Sequence, residues 1–135
     1  MEYDPSRQLK FKQLVMALHE NGIGVVMDVV YNHTYYTEES AFERSFPYYY
    51  HRIRNDGSFS NGSGCGNETA SNHMMMRKFM IDSLRFWATE YKIDGFRFDL
   101  MALHDIETVN IIRDELNKLF ELSYPALRVI RVCGI

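Results

Sequence analysis

Two apolar periodicities alternate along the chain. Phe11, Leu14, Val15 and Leu18 recur three or four residues apart, the spacing of a helix that buries one side. Ser6 follows Pro5 where a helix cap belongs, and Asn21-Gly22 supplies a stop. Residues 24–33, GVVMDVVYNH, then run almost continuously apolar and β-branched, as strands covered on both faces of a parallel sheet do. A second helix is predicted from about Ser71 or Asn72, with Met76, Phe79, Met80, Leu84 and Trp87 on its apolar face. A second strand, GFRFDLMA, follows over 95–102. Asp105 then caps a third helix carrying Ile106, Val109, Ile112, Leu116 and Leu119, and ALRVIRV at 126–132 reads as a third strand.

Helices alternating with strands of this kind predict βαβ units, an α/β fold and a parallel sheet. Two or three strands leave a parallel sheet with open edges, so the expectation is a piece of a larger α/β domain. The segment 34–70 interrupts the pattern. It is rich in Tyr, Ser, Gly and Asn, and ends in SNGSGCGNETAS. Its aromatics, Phe42, Phe46, Tyr48, Tyr49, Tyr50 and Phe59, argue for a packed excursion rather than disorder.

Polar residues inside the strands change the picture from fold to chemistry. Side chains alternate along a strand, so Arg97 and Asp99 share one face and Phe96, Phe98 and Leu100 the other. Asp28 shares a face with Val26 and Val30, and Asn32 and His33 follow where the first strand should end. The C-terminal ends of parallel strands are where α/β folds build their sites. Arg97–Asp99 as a structural ion pair and Asp99 as an ionised nucleophile held by Arg97 both fit this pattern. His33 alone suits a hydrogen-bonded structural ring. The spacing of Asp28, Asn32 and His33 matches no zinc pattern, and calcium ligation by Asn32 with loop carbonyls is a weaker option. The run GSGCGN at 62–67 lacks the ending of a phosphate loop.

Composition narrows the partners. The 135 residues carry a net charge of −3 with scattered basic residues, which favours neither nucleic acid nor an anionic membrane surface. No apolar run reaches the roughly 20 residues of a membrane span, and the first residues lack a signal core, so a cytoplasmic location is the expectation. Cys65 and Cys133 are expected as free thiols. Asn32, Asn61 and Asn67 match the glycosylation pattern, which is short enough to arise by chance.

DVVYNH at 28–33 and GFRFDLMA at 95–102, with GSGCGNETAS between them, resemble the type I pullulanases of the α-amylase superfamily of glycoside hydrolases. The resemblance covers residues 3 to 118. GCGN and the LMALHD ending favour pullulanases over isoamylase-like or branching enzymes. The resemblance implies part of a (β/α)8 TIM barrel, about strands three to five. Strands 25–30 and 95–100 would be the third and fourth, and 34–70 an insertion after the third. It implies hydrolysis of α-1,6 linkages in α-glucans, with Asp99 as nucleophile, Arg97 as its partner, and His33, Asp28, Asn32 and His104 toward substrate. No cofactor is implied. A retaining glycosidase needs a second carboxyl group about 5–5.5 Å from the nucleophile. The family's acid/base glutamate has no counterpart in YPALRVIRVCGI, so the isolated chain is expected to be inactive. A non-catalytic α/β protein or carbohydrate-binding remnant is the alternative.

Overall fold

The computed structural model describes residues 6–123. Helix α1 spans Ser6–Glu20, strand β1 Val26–Val29, the short helix α2 Ala41–Ser45, α3 Met74–Glu90, β2 Gly95–Phe98 and α4 Ile106–Ser123. A single 3-10 turn, Met101–Leu103, separates β2 from α4. The predicted α/β alternation is present. The predicted strand at 126–132 lies outside the described residues.

β1 and β2 pair in parallel, with Met27 opposite Phe96, Asp28 opposite Arg97 and Val29 opposite Phe98. Alternation then sorts the pair into two faces. Val29, Phe96 and Phe98 are buried, with Val25 and Met27 packed beside them. Met76, Met80, Leu84 and Ala88 of α3, Ile112 and Leu116 of α4, and Val15 of α1 complete this core. Complete burial of one such side chain stabilises the fold by about 1.5–3 kcal/mol. The other face is open: Val26 is 59% and Val30 53% exposed, on either side of exposed Asp28. The expectation that the first strand is buried on both faces therefore fails for these residues.

The helices follow their sequence spacing with three exceptions. Leu14, Phe79 and Ile106, expected on buried faces, are exposed, Phe79 with one side of its ring against Phe42. Ile106 opens α4, one residue after its cap, and projects outward before the buried stripe begins at Thr108. Asp105 does cap α4, accepting from the Thr108 N–H at 2.8 Å. Gly22, at φ +71, ends α1 as a left-handed stop suited to glycine.

Both strands are shorter than predicted, and backbone bonding explains why. Asp94 starts the pair: its carboxylate accepts from the Val25 N–H at 2.6 Å and from His19 Nε2 at 2.8 Å. The Asp99 N–H to the Val29 carbonyl, at 3.1 Å, is the last rung. Beyond it the carbonyls of Tyr31 and Asn32 accept from Thr69, through its Oγ1 at 2.5 Å and its N–H at 2.9 Å. Leu100 turns left-handed at φ 44, leaves the face of Phe96 and Phe98, and starts the 3-10 turn.

The segment 34–70 is packed, as its aromatics predict. Phe42 stacks on Tyr50 at 4.7 Å and meets Phe79 of α3 edge-on at 4.9 Å. Single antiparallel bridges join His51 to Thr69 and Ile53 to Phe59. Tyr48, at φ 61 and largely exposed, lies over Phe59. Asn32 and Asn67 are buried, so neither offers its amide to a glycan; Asn61 is exposed. Cys65 is an exposed free thiol, and Cys133 lies outside the described residues.

Candidate active site

The C-terminal ends of β1 and β2 bring together Asn32, His33 and Asp99, with Asp28 and Arg97 one step down the open face. Asn32 is the joint. It is 1% exposed. Its Nδ2 donates to the Asp99 carbonyl at 2.7 Å and to the Asp99 carboxylate at 3.2 Å. Its Oδ1 lies 2.5 Å from His33 Nδ1. The Asp99 carbonyl can only accept, so the amide must present Nδ2 to it and Oδ1 to the histidine. His33 Nδ1 therefore carries a proton, and in the neutral ring Nε2 is left as an acceptor.

Arg97 does not do what the sequence suggests. Its Nη1 pairs with Asp28 Oδ2 at 2.5 Å, across the strand pair rather than along the strand. The cross-strand neighbour in register is nearer than a residue two along, which explains the choice. Both side chains are well exposed on the open face. Asp99 takes its side-chain hydrogen bond from Asn32 instead.

His104 also departs from expectation. It is 6% exposed and meets Phe98 edge-on at 6.0 Å, on the packed side of β2. Neither ring nitrogen has a hydrogen-bond partner among the described residues. Burial pushes its pKa down to about 4; Arg52 adds to the effect and Asp105 opposes it. A neutral ring behind Phe98 is poorly placed to reach substrate on the open face. The 3-10 turn redirects the chain at Leu100 and carries His104 inward.

Residues the sequence did not single out hold the rim in place. Thr34 follows His33, and its N–H donates to Asn67 Oδ1 at 2.9 Å. Asn67 Nδ2 returns a bond to the Thr34 carbonyl at 2.8 Å. The Thr34 hydroxyl also meets His51 Nε2 at 2.8 Å, and His51 Nδ1 meets Glu43 Oε1 at 2.8 Å. The GCGN segment thus closes on the exit of β1 through its asparagine. That asparagine was the one available signal, because an Asn after a Gly-rich turn often bonds nearby backbone. Gly62 serves the same loop. Its N–H donates to Glu68 Oε2 at 3.0 Å, and a Cβ there would sit 2.2 Å from that oxygen.

No group of three or more His, Cys, Asp or Glu side chains suited to a metal occurs among the described residues. The Asn32 oxygen proposed for calcium is taken up by His33. No helix among the described residues is long and apolar enough to cross a membrane. Chemically, the rim offers a carboxylate oriented by a buried amide and an imidazole oriented by the same amide. A cavity of about 370 Å³ lies apart from this group, lined by Tyr48, His51, Arg52, Ile53, Ala70, Asn72 and His73.

No family model matches the chain. Comparison with individual proteins is more informative. The chain is 44% identical over 117 residues to a pullulanase of Bacillus subtilis (strain 168), covering 86% of this chain and 16% of that protein. It is 44% identical over 98 residues to isoamylase SU1 of Zea mays, covering 70% of this chain and 12% of the other. Among solved structures, a pullulanase of Paenibacillus barengoltzii in complex with maltohexaose and α-cyclodextrin superposes with a TM-score of 0.83. That match has 46% identity and covers 93% of this chain and 18% of that one. A pullulanase of Anoxybacillus sp. LM18-11 complexed with maltotetraose gives a TM-score of 0.85 at 43% identity, again over 93% and 18%. The chain therefore spans about a sixth or less of the curated relatives it matches.

Proposed function

For a chain homologous to one segment of the type I pullulanases, relatives of the isoamylases, we propose a role as the nucleophile-bearing part of an α-glucan debranching hydrolase. In this reading β1 and β2 are the third and fourth strands of a (β/α)8 barrel. Residues 34–70 are the insertion after the third strand, and all 135 residues belong to one catalytic domain. The open face of Asp28 and Arg97 is then the barrel interior, because the helices cover the other face.

The observation that supports it best is the shared amide of Asn32, which orients Asp99 and His33 together at the carboxyl ends of both strands. Asp99 Oδ attacks the anomeric carbon of an α-1,6-linked glucose unit. The bond to the departing sugar oxygen breaks, and that oxygen takes a proton from an acid group. A covalent glycosyl-aspartate forms and water later hydrolyses it. His33 Nε2 accepts from a hydroxyl of the bound sugar. Arg97 and Asp28 shape the floor. The partner is an α-glucan or its oligosaccharides, and the chemistry requires no cofactor.

Among the described residues this reading assigns no acid group: Asp28, the carboxylate beside Asp99 on the open face, is paired with Arg97. Loss of general acid assistance alone costs roughly 10²–10⁴ in rate. We therefore expect the 135 residues by themselves to be inactive on a natural glucan. A substrate whose leaving group needs no proton separates the two roles. The expected result is that the chain releases no reducing ends from pullulan, yet releases fluoride from α-maltosyl fluoride at a rate that Asp99→Asn abolishes. Fluoride release unaffected by Asp99→Asn overturns the assignment. Binding of maltotetraose without any fluoride release supports a carbohydrate-binding remnant instead.

A further inference from the structure

We propose that Glu43 and His51, inside the insertion, are positioning residues for the candidate site, acting on His33 through Thr34. The inference rests on the reading of Asn32, His33 and Asp99 as a glycosidase rim and adds to it the groups that fix that rim.

A polar chain runs through the protein interior to the exit of β1. The Tyr48 N–H donates to Glu43 Oε2 at 2.7 Å. Glu43 Oε1 meets His51 Nδ1, and His51 Nε2 meets the Thr34 hydroxyl, each at 2.8 Å. Glu43 is 6% and His51 1% exposed, so this is a core feature rather than a surface pair. The carboxylate accepts, which places a proton on Nδ1 of His51. Nε2 then faces Thr34, the residue bonded to His33. Buried polar chains of this kind fix geometry, and here Glu43 accepts from both Tyr48 and His51 while His51 reaches Thr34.

The order carboxylate, imidazole, hydroxyl matches a nucleophilic triad, so that role has to be weighed. The surroundings of the hydroxyl argue against it. Thr34 Oγ1 lies 2.7 Å from the Tyr36 carbonyl and 3.3 Å from Asn67 Oδ1. Both are acceptors. They would repel the negative charge that an attacking oxygen and its tetrahedral product carry, where catalysis needs donors. The chain suits holding, not attack.

What it holds is specific. Thr69 N–H bonds the Asn32 carbonyl, Thr69 Oγ1 bonds the Tyr31 carbonyl, and Thr69 bridges His51 on the neighbouring segment. Asn67 bonds Thr34 on both sides of its peptide. Tyr31 to Thr34 is thereby tied to the insertion at each residue except His33, whose ring is then free to be aimed by Asn32. A small displacement of a reacting group by a remote change can cost up to about 10²-fold in rate.

Substitution of Thr34 keeps Glu43 and His51 paired and so avoids an unpaired buried carboxylate. Thr34→Val is nearly isosteric but lacks the hydroxyl; Thr34→Ser keeps it. Two readouts are taken on the 135-residue chain: the ¹⁵N signals of the His33 ring, and fluoride release from α-maltosyl fluoride. Thr34→Val is expected to shift His33 from one tautomer to a mixture and to slow fluoride release by roughly 10- to 100-fold, with Thr34→Ser like the parent. His51→Phe combined with Thr34→Val should lose no more than the worse single variant, because both cut one link. A lowered melting temperature in Thr34→Val with His33 signals and fluoride release unchanged makes the chain merely structural and overturns the proposal. If the parent chain releases no fluoride, the catalytic reading fails by itself, and the His33 signals alone decide whether Thr34 positions that ring.

Discussion

Asn32 and Asp99 lie 67 residues apart in sequence and are joined twice by one side-chain amide, at 2.7 Å to the Asp99 carbonyl and 3.2 Å to its carboxylate. The same amide faces His33 with its oxygen. A single buried residue thus sets the direction of both groups that the proposed chemistry uses.

Asn32→Leu keeps the volume and removes the donor. The Asp99 carbonyl and the His33 Nδ1–H both lose their Asn32 partner. Stability in a urea titration should fall by about 1–3 kcal/mol. The labelling rate of Asp99 by an activated glycosyl donor should fall by up to about 10²-fold. A stability loss with unchanged labelling would remove Asn32 from the site.

The Asp28–Arg97 pair makes a different prediction. The two side chains are 56% and 36% exposed, which limits such a pair to about 1 kcal/mol or less. Asp28→Asn should therefore cost under about 1 kcal/mol in the same titration, and less in high salt. A loss of several kcal/mol would mean that the pair is desolvated in the folded chain.

His104 gives the pH dependence. Its pKa is about 4 in the folded chain and about 6.5 in the unfolded one. Between these values the unfolded state binds more protons, so stability rises with pH there. The contribution is fully present above pH 6.5 and is lost as the pH falls toward 4, by roughly 3 kcal/mol in all. His104→Phe should flatten this part of the profile. It should also leave stability at pH 7 unchanged or higher, since neither ring nitrogen is bonded within the described residues. An unaltered slope in the variant would place the acid sensitivity elsewhere.

Gly62 and Gly57 separate crowding from backbone conformation. At Gly62 an added Cβ meets Glu68 Oε2 at 2.2 Å and Leu103 Cδ2 at 3.1 Å. At Gly57 it meets nothing within 4 Å, but φ is +84. Gly62→Ala should cost about 1–3 kcal/mol through overpacking against buried Glu68, and Gly57→Ala about 1–2 kcal/mol through left-handed strain alone. Melting curves of the two variants test the ranking.

Much of this was legible in the sequence, and the gaps have physical causes. The three long helices and the parallel strand pair follow from periodicity, because the core stripe of α3 and the β-branched run of β1 stand out; the short helix α2 and the open face of β1 were not legible. Strand lengths were not legible: Tyr31 and Asn32 look like strand but give their carbonyls to Thr69, 38 and 37 residues on. The partner of Arg97 depended on register, which alternation within one strand does not reveal. His104 was misplaced because a non-glycine left-handed turn at Leu100 has no sequence signature. The Glu43–His51 pair was missed because the aromatics around it account for the segment's packing without it. Asp99, Asn32 and His33 were found as a group because the ends of parallel strands gather polar residues.

The central claim is that Asp99 is the nucleophile of the candidate site. The direct measurement is incubation with an α-maltosyl fluoride carrying a second fluorine at C5 of the reacting sugar, followed by peptide mass mapping. Fluoride leaves with its bonding pair, the Asp99 oxygen bonds the anomeric carbon, and the added fluorine slows hydrolysis of the product. The account predicts one glycosyl unit on the peptide holding Asp99, blocked by excess maltotetraose and absent in folded Asp99→Asn. A label on any other residue, or the same labelling in Asp99→Asn, would contradict it.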